Sequence, residues 1–352
     1  MRLVWDASPS NGNGRNSEGS FIRLPDGRIL FAYSRYNTDH YEDCAGCDIA
    51  GIYSSNEGES WTEPVVLVEA AFFGVRNIMS VSAIYQPDSQ IGLYFIIKEK
   101  DGSSTLGRAI SASGDAFAPE RCQMRCQKNY YVMNNDRMIR LRDGRLAAPV
   151  AFHGFPEPEY MGISTILLSE DDGKSFHGCH IKLTLPSLQA RDRGMQEPGI
   201  YEHEDGTLRI WARTGNGSQY ESFSRDGLES CTPPAPSLFT SPCSPMELAK
   251  DPVSGWIYAV YNPVPSCYRS SAQYGNASMG GRTPLVIRKS KDDGKTWDDF
   301  KIVESDPERG YCYEAMFFTE DRHMLLAYCR GNAEDGSCLA RLGIAKLPMD
   351  EI

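Results

Sequence analysis

The sequence predicts an all-β chain, a six-bladed β-propeller of four-stranded antiparallel blades. Two periodic sets of turns, and the alternating text between them, carry that reading. A serine-led cassette is clearest at Ser169-Glu170-Asp171-Asp172-Gly173-Lys174-Ser175-Phe176 and at Ser290-Lys291-Asp292-Asp293-Gly294-Lys295-Thr296-Trp297, with an earlier copy at Ser54-Ser55-Asn56-Glu57-Gly58-Glu59-Ser60-Trp61. Worn copies begin at Ser111 and Ser224, so the leading serines recur every 55 to 66 residues. A period of that size belongs to stacked or radially arranged units. A second register of turns falls at Asp26-Gly27, Asp88-Ser89, Asp143-Gly144, Asp205-Gly206, Ser254-Gly255 and Glu320-Asp321, which makes six units.

Each cassette reads as a hairpin turn. Its Asp and Ser side chains bond nearby backbone N–H groups, its Gly supplies a positive φ, and its closing Trp or Phe packs between sheets. The text around the second set of turns alternates as half-buried strands do, as in Phe21-Ile22-Arg23-Leu24 leading into Arg28-Ile29-Leu30-Phe31-Ala32-Tyr33, or Thr207-Leu208-Arg209-Ile210-Trp211-Ala212. Blades are expected near 7–70, 71–127, 128–186, 187–238, 239–305 and 306–348, so that residues 1–352 form one propeller domain. Arg2-Leu3-Val4-Trp5 is the strand expected to close the ring against the last blade and cover its open edge.

Composition bounds the function. The chain has 352 residues, 41% hydrophobic, and no apolar run approaching the roughly 20 residues of a membrane helix. The N-terminal Met1-Arg2-Leu3-Val4-Trp5-Asp6 lacks the apolar stretch of a secretion signal, so a cytoplasmic location is the expectation. Eleven cysteines without a framework spacing point to free thiols. Cys44 and Cys47 form the only couple with two residues between them, with no second such couple to complete a zinc site, so no metal or cofactor is expected. A net charge of −11 argues against nucleic acid and anionic membranes as partners. An anionic small ligand therefore needs a local positive pocket. Oligomeric state is left open.

In a propeller the innermost strand of each blade lines the central funnel. Polar residues cluster there: Arg15 and Glu18 ahead of the first inner strand, Asn134, Asn135, Asp136 and Arg137 in blade three, Gln196 and Glu197 in blade four, and Tyr311 and Tyr313 in blade six. With these residues the chain resembles the Asp-box (BNR repeat) exo-α-sialidases, the neuraminidase-type hydrolases that remove terminal sialic acids, as a divergent member of the bacterial type. That family has an arginine in blade one about 20 residues ahead of a second, where Arg15 and Arg35 stand here, and an acid/base aspartate a few residues beyond, where the loop offers Asp39. Asp43 and Asp48 are rivals. The family's blade-four glutamate and arginine correspond to Glu197 and Arg213, sixteen residues apart across a turn at Asp205-Gly206. A third arginine before the last cassette corresponds to Arg282, and the nucleophilic tyrosine of the last blade to Tyr313, with Tyr311 as its rival. The family's Arg-Ile-Pro signature is replaced by Arg15-Asn16-Ser17-Glu18-Gly19.

The resemblance implies a glycosidase for an anionic sugar or glycoconjugate. Arg15, Arg213 and Arg282 would surround a carboxylate, because planar guanidinium groups bind carboxylates bidentately and stay charged at any working pH. Tyr313 would attack with Glu197 as its base, since a carboxylate nucleophile would be repelled by the substrate's own carboxylate. Asp39 would protonate the leaving oxygen. Asn135, Asp136, His153 and Tyr220 are candidate pocket walls. Two other classes stay open: a glycosidase or lyase for a uronic acid, and a non-catalytic sugar-binding propeller.

Overall fold

A computed structural model of the chain describes residues 1–154, 161–185, 194–265 and 281–352. Six antiparallel blades form the ring, all-β as expected, and the described residues hold one short 3-10 turn, Ala70–Phe73. Blade one runs Asn16–Arg23, Ile29–Tyr36, Cys47–Ser54 and Val65–Val68 from axis to rim, and blade two Ile78–Tyr85, Ile91–Lys98, Ser104–Ser111 and Ala118–Arg121. In blade three the inner strand is broken into Tyr131–Val132 and Ile139–Arg140, followed by Leu146–Phe152, Ile163–Ser169 and Ser175–Gly178. Gln123–Met124 adds to its rim in parallel, so this blade borrows from sequence assigned to blade two. Blade four is Gln196–Glu202, Leu208–Arg213, Ser218–Ser224 and Ala235–Thr240, and blade five Glu247–Lys250, Ile257–Tyr261, Leu285–Ser290 and Lys301–Glu304. Cys312–Phe318, His323–Cys329 and Leu342–Pro348 form blade six, and Arg2–Ala7 pairs antiparallel with Leu342–Pro348 as its outermost strand. The ring therefore closes as the first residues predict. The expected boundary between blades three and four, at 186–187, lies outside the described residues.

The cassettes act as predicted, with one refinement. Ser169 Oγ accepts from Gly173 N at 2.8 Å and donates to Asp171 Oδ1 at 2.9 Å, while Asp171 accepts from Ser175 N and Oγ at 2.8 and 2.7 Å. Ser290, Asp292, Gly294 and Thr296 repeat the pattern. Positive φ is needed at two successive residues, Asp172 at 56° and Gly173 at 83°, and again at Asp293 and Gly294. The closing aromatics pack between blades: Phe176 edge-on to Tyr94, Trp297 on Phe239, and Trp61 near Phe21. Six separate apolar clusters result, one at each blade-to-blade interface. Asp171→Ala removes three hydrogen bonds at a half-buried turn, and an equilibrium urea titration should show a loss of about 1–2 kcal/mol with an unchanged m-value.

Candidate active site

The funnel takes its chemistry from places where the inner strands slip. Register with the neighbouring strand shifts between Ser17 and Ser20, Met79 and Ser82, Gln196 and Gly199, and Cys312 and Ala315. In each slip a non-glycine residue adopts the left-handed conformation: Glu18 at φ 57°, Ser80 at 62°, Glu197 at 48° and Tyr313 at 58°. Such a bulge turns a side chain out of the strand's alternation. All four residues line one cleft, together with Asp43, Met79, Lys98, Tyr130 and Asn134. Its volume is about 50 Å³, and three of its lining residues, Asp43, Lys98 and Tyr130, also line a recess of about 790 Å³.

Four of the expected residues touch directly. Tyr313 Oη donates to Glu197 Oε1 at 3.1 Å, and Arg213 Nη2 donates to the same oxygen at 2.9 Å. Arg282 lies 5.5 Å from the Tyr313 ring centre and donates from Nη1 to Cys312 Sγ at 3.0 Å. Among the described residues Arg282 has no carboxylate partner, which leaves a half-buried cation facing the tyrosine. Burial pushes the Tyr313 phenol well above its ordinary range, and the Glu197 charge adds to this against the opposing pull of Arg213 and Arg282. The site thus holds a neutral phenol bonded to Glu197, the arrangement a base-assisted nucleophile requires.

Arg15 sits differently. Its guanidinium is 1% exposed and stacked 4.9 Å from the Tyr36 ring centre. Nε donates to Ser17 Oγ at 2.8 Å, Nη1 to Asp43 Oδ1 at 2.6 Å and Tyr41 O at 3.3 Å, and Nη2 to Glu18 Oε1 at 2.5 Å. Four of the five guanidinium N–H donors are already engaged. Arg35 stands one residue before Tyr36 on Ile29–Tyr36 and so shares a face with Tyr33, away from Arg15.

Of the three aspartates the loop offers, the structure brings Asp43 to the cleft. Asp39 is exposed, and its Oδ1 accepts from Gly12 N at 2.6 Å, so it anchors a turn outside the funnel. Asp48 likewise accepts from Asn37 Nδ2 and Ala70 N. The Asp43 side chain is 65% exposed at the mouth. Desolvation by the surrounding wall raises its pKa, but the charges of Arg15, Lys98 and Arg213 outweigh this and hold it at about 2. Spacing alone could not separate 39 from 43, because the loop's path decides which carboxylate turns back.

Tyr311 stands apart from the cleft that Tyr313 lines. It is fully buried and packs against Tyr328 at 6.0 Å, between blades five and six. Two residues apart on a regular strand would share a face, but the left-handed turn at Tyr313 breaks that rule. Asn135 ties the ring together at the axis: its Nδ2 donates to Gly19 O at 2.8 Å and Glu314 O at 3.2 Å. Asp136 accepts from Ser20 Oγ, and burial raises its carboxyl to about 6. Neither lines the cleft, though Asn134 does. His153 stands behind Tyr130, and Tyr220 packs in the cluster between blades three and four.

Lys98 also reaches the cleft, and its place at a strand end is the sequence signal for it. It ends Ile91–Lys98 as Arg213 ends Leu208–Arg213, the same station two blades apart, and its Nζ donates to Asp43 O at 2.7 Å.

The model of the BNR repeat-like domain family matches residues 42–325. Comparison of the sequence with curated proteins finds no match. Among solved structures, the Hadza microbial sialidase Hz136 aligns over 96% of this chain and 66% of its own with a TM-score of 0.74 and 16% identity, so this chain spans about two thirds of that protein's length. A protein of unknown function from Dyadobacter fermentans aligns over 99% of both chains, with a TM-score of 0.71 and 15% identity. The intramolecular trans-sialidase of Ruminococcus gnavus aligns over 100% of this chain and 97% of its own, with a TM-score of 0.67 and 13% identity. At these identities the likeness is one of fold, and it agrees with the repeat and the ring described above. The chain belongs to the BNR repeat-like domain family and has the sialidase-type six-bladed fold.

Proposed function

We propose that this protein is an exo-acting glycosidase of sialidase type that releases a terminal acidic sugar, sialic acid or a related 2-keto acid sugar, from a glycoconjugate with retention of configuration. The observation that carries the reading is the chain Tyr313–Glu197–Arg213 beside Arg282. In this reading Arg213 and Arg282 hold the substrate carboxylate, and Glu197 takes the Tyr313 proton as the phenolic oxygen attacks the anomeric carbon. The glycosidic bond breaks with its electron pair on the leaving oxygen, which takes a proton from Asp43. Water, deprotonated by Asp43, then displaces Tyr313 and the proton on Glu197 returns to the phenolic oxygen, giving net retention. Held low by its neighbouring cations, Asp43 is ionised at neutral pH. It gains the needed proton when an incoming carboxylate draws on Arg213 and adds negative charge nearby, both of which raise its pKa.

Incubation with a panel of 4-methylumbelliferyl glycosides, sialosides and uronides included, tests the activity, and NMR of the first-formed anomer tests retention. No hydrolysis across the panel, with acidic sugars still bound, would leave a sugar-binding propeller instead. Asp43→Ala is expected to slow substrates with poor leaving groups about 100-fold or more while affecting activated aryl glycosides far less, because only the former need protonation to depart. Asp39→Ala should stay within about threefold of the parent on both. Equal losses on both substrate types in Asp43→Ala would remove it from the acid/base role.

A further inference from the structure

Left-handed backbone is uncommon for a residue with a side chain, and clusters of it mark functional sites. On the inner strands of blades one, two, four and six it falls at one station, the bulge, and the residues there are Glu18, Ser80, Glu197 and Tyr313. Two of these are the base and nucleophile of the proposed reaction. Glu18 holds the equivalent position across the funnel, is 3% exposed, and lines the same cleft. Its Oε1 accepts from Arg15, and its Oε2 from Ser80 Oγ.

The consequence concerns Arg15. One guanidinium carries two carboxylates, Glu18 and Asp43, and its remaining surface is stacked on Tyr36. A ligand carboxylate arriving there would meet no free fork of N–H donors and two negative charges. Arg282 is the opposite case, with a thiol as its hydrogen-bond partner and no ion pair among the described residues.

We propose that Glu18 determines specificity at this site. It keeps carboxylates away from Arg15 and accepts a hydrogen bond from a hydroxyl or amino group of the bound sugar. The site therefore takes acidic sugars whose one carboxylate fits between Arg213 and Arg282 and whose opposite edge presents a donor to Glu18. This rests on the funnel being a sugar-acid site, as proposed above.

The test is isothermal titration of the parent, Glu18→Gln and Glu18→Ala with two probes: 2,3-didehydro-2-deoxy-N-acetylneuraminic acid and D-glucuronic acid. The first carries its carboxylate on the anomeric carbon, the second carries a hydroxyl there. The affinity ratio of the first probe to the second is expected to rise at least about tenfold in both variants, as loss of the Glu18 charge lowers the repulsion that a carboxylate meets beside Arg15. Glu18→Gln keeps an acceptor for Arg15 and removes only the charge, so it decides the matter if Glu18→Ala melts early. A ratio that is unchanged or falls overturns the proposal, and so does failure of all three proteins to bind either probe. A parent that hydrolyses no glycoside but shows the ratio shift keeps the role of Glu18 and loses the hydrolase reading; a hydrolase with an unmoved ratio does the reverse.

Discussion

Tyr313→Phe is expected to lose at least about 10³-fold in kcat while retaining its fold and its affinity for a sugar-acid inhibitor. The substitution removes one oxygen from a buried side chain. That oxygen is the atom bonded to Glu197 Oε1 at 3.1 Å, and no other hydroxyl contacts Glu197 among the described residues. The ring itself stays packed beside Cys312, Cys329 and Cys338 and under Arg282, so the strand has no reason to move. Glu197→Gln should fall by a comparable factor and add little to Tyr313→Phe in the double variant, since the two act as one unit. Rates are to be read on the best substrate of the glycoside panel, with binding measured separately. A Tyr313→Phe enzyme within tenfold of the parent would exclude the covalent tyrosyl intermediate. An inverted product would keep the pocket and make Glu197 or Asp43 a base for water.

Removal of either arginine should also be severe, but the two differ in a way the structure specifies. Arg282→Ala is expected to lower kcat/KM by about 100-fold or more, which corresponds to about 2.7 kcal/mol in transition-state stabilisation, the scale of a charge-assisted bidentate contact. Its fold should persist, because Arg282 bonds only a thiol and a ring face among the described residues. Arg213→Ala should match or exceed that loss and also destabilise the protein. It leaves Glu197, which is 7% exposed, without its counter-charge, and a buried carboxylate stripped of its partner costs roughly 3–5 kcal/mol. Arg213→Lys separates the effects: it restores charge and much of the stability, but not the planar fork, so kcat/KM should remain low. Thermal melts alongside the kinetics make the comparison. Arginine variants that turn over an acidic substrate at parental rates would remove the carboxylate clamp from the mechanism.

The architecture was legible in the sequence because its signals are local. A serine, an aspartate two residues on and a glycine four on can satisfy one another only in one kind of turn, and six strand-pair turns between them count the blades without any long-range information. The pairing of Glu197 with Arg213 was legible for the same reason, since the two sit on adjacent strands of a single hairpin whose turn is visible at Asp205-Gly206. The contact of these with Tyr313 and Arg282 followed from the family's placement of such residues.

Choices between residues a few positions apart were not legible. Asp39 and Asp43 differ by four residues of a loop, and which one faces the funnel depends on Arg15 drawing Asp43 inward while Gly12 captures Asp39. Tyr311 and Tyr313 looked equivalent by strand alternation, yet a single left-handed residue sends one into the core and the other into the cleft. By residue type Arg15 is a carboxylate binder, whereas its partners come from positions 17, 18, 41 and 43 and are set only when the loop closes over the first strand. The repeat and its turns were determined by the sequence itself, because each is stabilised within a few residues. The free or engaged state of each charge in the funnel was decided by the tertiary structure, because it depends on which side chains from different loops and blades meet in a space with little water to screen them.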